Sequence, residues 1–153
     1  MSTVAEPRRA EEIMRRLKRF TLSSERRWGR MTAHQMICHL ADAIRMALDE
    51  RPVNFCGNWA STHIVKFAAL YSPLPWPKGV KGSPELDQET GGGTPPVDFE
   101  SDRDELLTLI ERLRKQPADS PSPQHPMFGP LSWAQWKVLT YRHCDHHLRQ
   151  FGA

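Results

Sequence analysis

A helical face that changes from apolar side chains to histidines is the feature that most constrains this chain. In residues 131–151, LSWAQWKVLTYRHCDHHLRQF, Ser132 followed by Gln135 predicts a helix N-cap and its return partner. Spacings of three and four then place six side chains on one face: Trp136, Leu139, Thr140, His143, His147 and Gln150. A core face that ends in two histidines one turn apart favours a metal site inside a helical bundle.

The composition is that of an ordinary globular chain, and 153 residues predict a single domain over residues 1–153. Three cysteines without paired spacing argue against a disulfide framework and predict a cytoplasmic protein. No apolar run approaches the roughly 20 residues of a membrane span, so we expect no membrane partner. The early arginines alternate with glutamates and accompany no nucleic-acid motif. A solvated helix face is therefore favoured, and no nucleic-acid partner is expected.

Periodic apolar residues predict four principal amphipathic helices, over residues 8–20, 32–50, 101–116 and 131–151. Thr32 with Gln35 predicts the N-cap of the second helix, and Ser101 with Asp104 predicts that of the third. An extra short helix is predicted over residues 58–71. Residues 72–100 are rich in Pro and Gly and have no period, which indicates a long crossover. We expect Trp76 and Phe99 to pin this segment to the body of the protein. The predicted fold class is all-α, a four-helix bundle with a long Pro/Gly-rich crossover.

The two histidines at positions 143 and 147 can turn toward one ion, because their Cβ atoms lie about 5–6 Å apart on a helix. The alternative is a pair of core histidines that are hydrogen-bonded and bind no metal. A third ligand must come from another helix, and His39 is best placed because it lies at the edge of the apolar face of the second helix. His146 points about 100° away from His147. Cys38 and Cys144 are expected to be buried thiols rather than nucleophiles.

Three motifs carry a resemblance to a known family. They are M-T-x-x-Q-M-x-x-H-L-x-D in residues 31–42, H-P-x-F-G in residues 125–129 and W-x(6)-H-x-x-H-H-L-R-Q-F in residues 136–151. Together they resemble the DinB-like (YfiT-like) metalloenzyme superfamily, and more narrowly an uncharacterised subgroup of it. The resemblance implies an up-down-down-up bundle and a divalent metal, nickel or zinc, bound by His39, His143 and His147. Characterised members of that superfamily include thiol-dependent transferases and isomerases that use low-molecular-weight thiols, and dimers are common among them. The resemblance therefore makes a small-molecule substrate, a low-molecular-weight thiol and a homodimer the expected partners.

Three hypotheses follow for the function. The first is a metal-dependent transferase or hydrolase, in which His125, His146 and Asp42 are the candidate proton-handling or orienting residues. The second is a non-enzymatic metal-binding or stress-related interaction module with the same bundle. The third is a helical adaptor without a metal that uses its arginine-rich first helix. For His125 a further alternative stays open, in which it anchors its loop and Phe128 is buried.

Overall fold

The computed structural model describes residues 2–80 and 82–153; Met1 and Lys81, the latter within the predicted crossover, lie outside the described residues. The protein is mostly helical. Its α-helices are α1 (Pro7–Arg19), α2 (Ala33–Ala47), α3 (Lys66–Tyr71), α4 (Phe99–Arg114) and α5 (Trp133–Gln150). Two short strands, β1 (Gln124–His125) and β2 (Gly129–Pro130), pair antiparallel just before α5. Within the described ranges, every helix is too short or too polar to cross a membrane.

The helix starts follow from local capping chemistry. The side chains of Thr32 and Ser132 each accept a hydrogen bond from the backbone N–H three residues on. The side chains of Gln35 and Gln135 accept in turn from the backbone N–H groups of Thr32 and Ser132, so both predicted capping boxes are confirmed. The predicted cap at Ser101 is wrong. Asp98 caps α4 instead, and its carboxylate accepts from the Ser101 N–H at 2.9 Å. An aspartate also interacts favourably with the positive end of the helix dipole.

All five helices contribute to one apolar core. Its largest fully buried side chains are Ile13, Leu17, Phe20, Met36, Ile37, Leu40, Leu70, Leu106, Ile110, Leu113, Trp136 and Leu148. Burying each one contributes about 1.5–3 kcal/mol. Helix α2 packs along α4, whereas α5 contacts each of the other four α-helices. The C-terminal helix is therefore the element against which the other α-helices are arranged.

The extra helix differs from its predicted form. A π-helical turn, Ser61–Val65, leads into α3, so the regular α-helix is only six residues long. Its outward side leaves large apolar side chains exposed, among them Trp59, Ile64 and Phe67.

The long connection between α3 and α4 is held by side chains of α2 and α5 and by Arg51, which follows α2. Buried Asp42 accepts from the Thr94 backbone N–H at 2.7 Å, and Arg51 donates to the carbonyl oxygens of Glu85 and Gly92. At its other end Arg142 donates to the Leu74 carbonyl oxygen at 2.8 Å. The segment has little regular structure, but these charge-assisted hydrogen bonds fix its path across the helices.

Candidate metal centre

Three histidines from two helices place their ring nitrogens close together. On α5, one turn brings the Nε2 atoms of His143 and His147 to 3.1 Å from each other. From α2, the Nε2 atom of His39 lies 3.1 Å from that of His143. The structure thus brings together the three side chains that the sequence predicted as ligands, although they are separated by about a hundred residues.

Hydrogen bonds on the far side of two rings determine which nitrogen carries the proton. The Nδ1 atom of His39 donates to the Leu86 carbonyl oxygen at 3.0 Å, since a carbonyl can only accept. The Nδ1 atom of His147 donates to Oε1 of Gln150 at 2.8 Å. That amide is oriented by its own Nε2, which donates to the Trp28 carbonyl oxygen at 2.8 Å. Both histidines therefore direct an Nε2 lone pair inward.

Burial keeps these imidazoles neutral. It lowers the pKa of His39, and it lowers the pKa of His143 and His147 well below the ordinary value. For His143, the neighbouring histidines lower the pKa further because a second positive charge there would be repelled. A neutral imidazole is the form that binds a metal.

A divalent cation fits this donor set better than a proton does. A proton on Nε2 of His143 can be donated to one of the two facing lone pairs, whereas a cation accepts all three. Nitrogens 3.1 Å apart with bonds of about 2.0–2.1 Å subtend roughly 95–102° at an ion, between octahedral and tetrahedral angles. The Nε2 atoms of His39 and His147 are therefore each at a distance from that of His143 that suits a shared zinc or nickel ion.

His125 is the last residue of β1, and its ring stacks on that of buried Phe128 at 4.3 Å between centroids. Its Nδ1 atom accepts from the backbone N–H groups of Met127 and Phe128, at 3.1 and 3.2 Å. Burial lowers the pKa of His125 to about 4. These are the contacts of the loop-anchor alternative, and the three-histidine group does not include His125.

The other two candidate proton-handling residues occupy different surroundings. Asp42 is fully buried and bound to Arg45, Arg51 and Thr94, so its carboxylate oxygens face the crossover rather than the histidines. His146 packs edge-on against the His147 ring at 5.1 Å and borders a cavity. Of the three candidates, His146 is the one that a small molecule can reach from this cavity.

The cavity beside the cluster has a volume of about 780 Å³. Trp76, in its wall, lies over the His143 ring at 5.8 Å and over the His146 ring at 5.9 Å. Trp28 contacts the opposite edge of His146 at 6.1 Å. His146 and Trp76 line the cavity and contact two of the three histidines, His147 and His143, so these two side chains lie between the cavity and the cluster.

A second group of potential ligands links α2 to α4. The Nε2 atom of His34 lies 2.7 Å from Oδ2 of Asp102, and the Cys38 thiol lies 3.8 Å from the same oxygen. Burial raises the pKa of Cys38 to about 12, so the thiol stays protonated. The hydrogen bond between His34 and Asp102 already satisfies the carboxylate oxygen, so this group has the contacts of an interhelical bridge.

Several residues of the site carry no signal in the sequence. Leu86 contributes a backbone oxygen, which any residue has, and it lies 47 residues from His39. Trp28 and Trp76 lie in irregular segments, where no periodic pattern predicts which way a side chain points. Gln150 is different, since the predicted helical face already grouped it with the two histidines of α5.

These observations define a mostly helical protein with a buried three-histidine cluster beside a small-molecule-sized cavity. The sequence model of a family described as protein of unknown function (DUF1569) matches residues 8–153, and the chain belongs to that family. Neither the curated proteins nor the solved structures include a match to the chain.

Proposed function

We propose that this protein is a divalent-metal-dependent enzyme acting on a small molecule, with His39, His143 and His147 as the ligands of nickel or zinc. The proposal is carried by the Nε2 atoms of His39 and His147, each of which lies 3.1 Å from that of His143. Three protein ligands are the number found at catalytic zinc sites, which keep one position open, whereas structural sites have four.

The proposal includes the DinB-like four-helix bundle. Helices α1, α2, α4 and α5 would be its up-down-down-up members, with residues 72–98 as the crossover. Support comes from the contacts of α5 with α1, α2 and α4, and from the packing of α2 on α4. In that arrangement the ligands come from the second and the last bundle helices.

A bound divalent ion would supply a Lewis acid that lowers the pKa of a water or thiol beside it, which suits a thiol-dependent transferase or a hydrolase. The chain's own residues prepare this chemistry. Leu86 and Gln150 hold two histidines in the tautomer whose Nε2 atom is free. His146, at the cavity wall, is the residue placed to exchange a proton with a bound molecule, and burial lowers its pKa.

The alternative is a non-enzymatic metal-binding or stress-related interaction module. It predicts a site closed to small molecules. The cavity of about 780 Å³ next to His146 favours the enzyme. A homodimer belongs to the same proposal, and the exposed Trp59, Ile64 and Phe67 on one surface support it.

Metal analysis of purified protein tests the assignment. We expect wild-type protein to contain about one nickel or zinc ion per chain and His143→Ala to contain less than a tenth of that amount. His63→Ala is the matched control, because His63 is exposed and outside the three-histidine group. Equal metal content in wild type and His143→Ala, with both folded by circular dichroism, would end the proposal.

A further inference from the structure

The cavity beside the three histidines has a positively charged lining. Its cationic side chains are Arg27, Lys78, Arg142 and Arg149, and its acidic side chain is Asp145. Asp145 is already neutralised, because Arg16 of α1 contacts it at 2.7 Å from outside the cavity. The net field inside the cavity therefore favours an anion and opposes a cation.

Two of these cations are available to a ligand. Arg142 is occupied by the carbonyl oxygens of Ser72 and Leu74, and Arg149 lies 3.5 Å from Asp145. By contrast, Arg27 and Lys78 are exposed, and none of the ion pairs in the described part of the chain involves them. A carboxylate could bind either without breaking an ion pair.

Aromatic surfaces form the remainder of the wall. Trp28 and Trp76 are half-buried, and the His146 ring lies between them at 6.1 and 5.9 Å. The Lys78 ammonium group lies 4.6 Å above the Trp28 ring, so a cation and an indole face adjoin each other. Indole faces favour flat, unsaturated groups, which stack against them.

We propose that this cavity binds an organic anion that joins a carboxylate to a flat unsaturated or aromatic group. The carboxylate would bind Arg27 and Lys78, and the flat part would lie along Trp28 and Trp76 over His146. This inference names the substrate class of the proposed metal site, and in that respect it rests on the proposed function. The volume of about 780 Å³ is typical of pockets for small organic molecules.

Calorimetric titration of the full chain with 1-naphthoate tests the inference, with 1-naphthamide as the uncharged probe of the same shape. At low ionic strength we expect naphthoate to bind at least ten-fold more tightly than naphthamide. Arg27→Gln and Lys78→Gln should each weaken naphthoate binding by about three- to ten-fold and leave naphthamide binding unchanged. Lys115→Gln, an exposed lysine outside the cavity lining, should leave both unchanged.

The titration is repeated on protein dialysed against EDTA, so that the two proposals fail separately. Naphthoate binding that persists without metal supports the cavity inference even if metal analysis rejects the enzyme. Equal affinity for the two probes, the absence of measurable naphthoate binding, or the same loss in Lys115→Gln would overturn it. Both altered cations are exposed, so unfolding of the variants is not expected.

Discussion

Replacing Asp42 by Asn tests how the crossover is held over α2. The side chain is fully buried, with 0% of its surface exposed. Its Oδ1 atom accepts from Arg45 at 2.9 Å, from Arg51 at 3.3 Å and from the Thr94 hydroxyl at 2.7 Å. Its Oδ2 atom accepts from the Thr94 backbone N–H at 2.7 Å. Every one of these partners is a donor.

An asparagine has the same shape but one oxygen and one NH₂ group, so it cannot accept on both sides. If the NH₂ group faces the Thr94 N–H, two donors oppose each other; if it is turned round, it faces both arginines. Arg45 keeps a second carboxylate partner, Glu105, so the free energy lost lies at the low end of the range for breaking a buried ion pair. We expect about 3 kcal/mol of destabilisation. In a chain of this size that lowers the melting temperature by about 6–12 °C.

Urea unfolding at neutral pH measures this loss, with Asp104→Asn as the control because Asp104 is exposed on α4. The control should lie within about 0.5 kcal/mol of wild type. Thr94→Val removes the hydroxyl but keeps the backbone N–H, so it should cost only about 1 kcal/mol. A loss below about 1 kcal/mol for Asp42→Asn would refute the reasoning, since a buried carboxylate with four donors would then contribute no more than one ordinary hydrogen bond.

Two further substitutions test the surroundings of the site. Gln150→Leu removes the acceptor of the His147 Nδ1–H. We expect zinc affinity, measured by competition with a chromophoric chelator, to fall about 10–100-fold, while exposed Gln124→Leu leaves it unchanged. His125 has a pKa of about 4 in the folded protein and an ordinary value of 6.5. Between these values the unfolded chain binds the extra proton, so wild-type stability falls by roughly 3 kcal/mol as the pH drops through that window. His125→Gln should lose that part of the pH dependence in urea unfolding between pH 7 and 4, and parallel curves would contradict the assignment.

The helices were largely predictable because their signals are local. The capping boxes at Thr32 and Ser132 need only residues three positions apart, and the apolar periods run within each helix. The π-helical turn at Ser61–Val65 was not predictable, since the same apolar pattern fits a regular helix. The start of α4 was missed because Ser101 and Asp98 are both good caps, and the side chain that caps depends on where the crossover arrives.

The candidate site divides in the same way. The spacing of His143 and His147 follows from helix geometry alone, and His39 could be selected by its position at the edge of an apolar face. Their meeting point depends on how α2 packs against α5, which no local pattern specifies. The contact of Asp42 with Thr94 could not be predicted either, because Thr94 lies 52 residues away in a segment without periodicity. The sequence favours a proton-handling or orienting role for Asp42, because it lies near the predicted ligands, whereas its hydrogen bonds to Thr94 link it to the crossover.

The crossover contacts two of the three histidines, His39 and His143, and this links stability to the proposed chemistry. Toward its C-terminal end, Asp42 binds the Thr94 backbone and Arg51 binds the Glu85 carbonyl oxygen. The carbonyl oxygen of the next residue, Leu86, orients His39. Near its N-terminal end, Arg142 donates to the Leu74 carbonyl oxygen and so fixes the segment that places Trp76 over His143. The segment with the least regular structure therefore determines the orientation of one histidine of the cluster and covers another. Substitutions there should alter the histidine cluster while the helices, which have their own caps and core, remain folded.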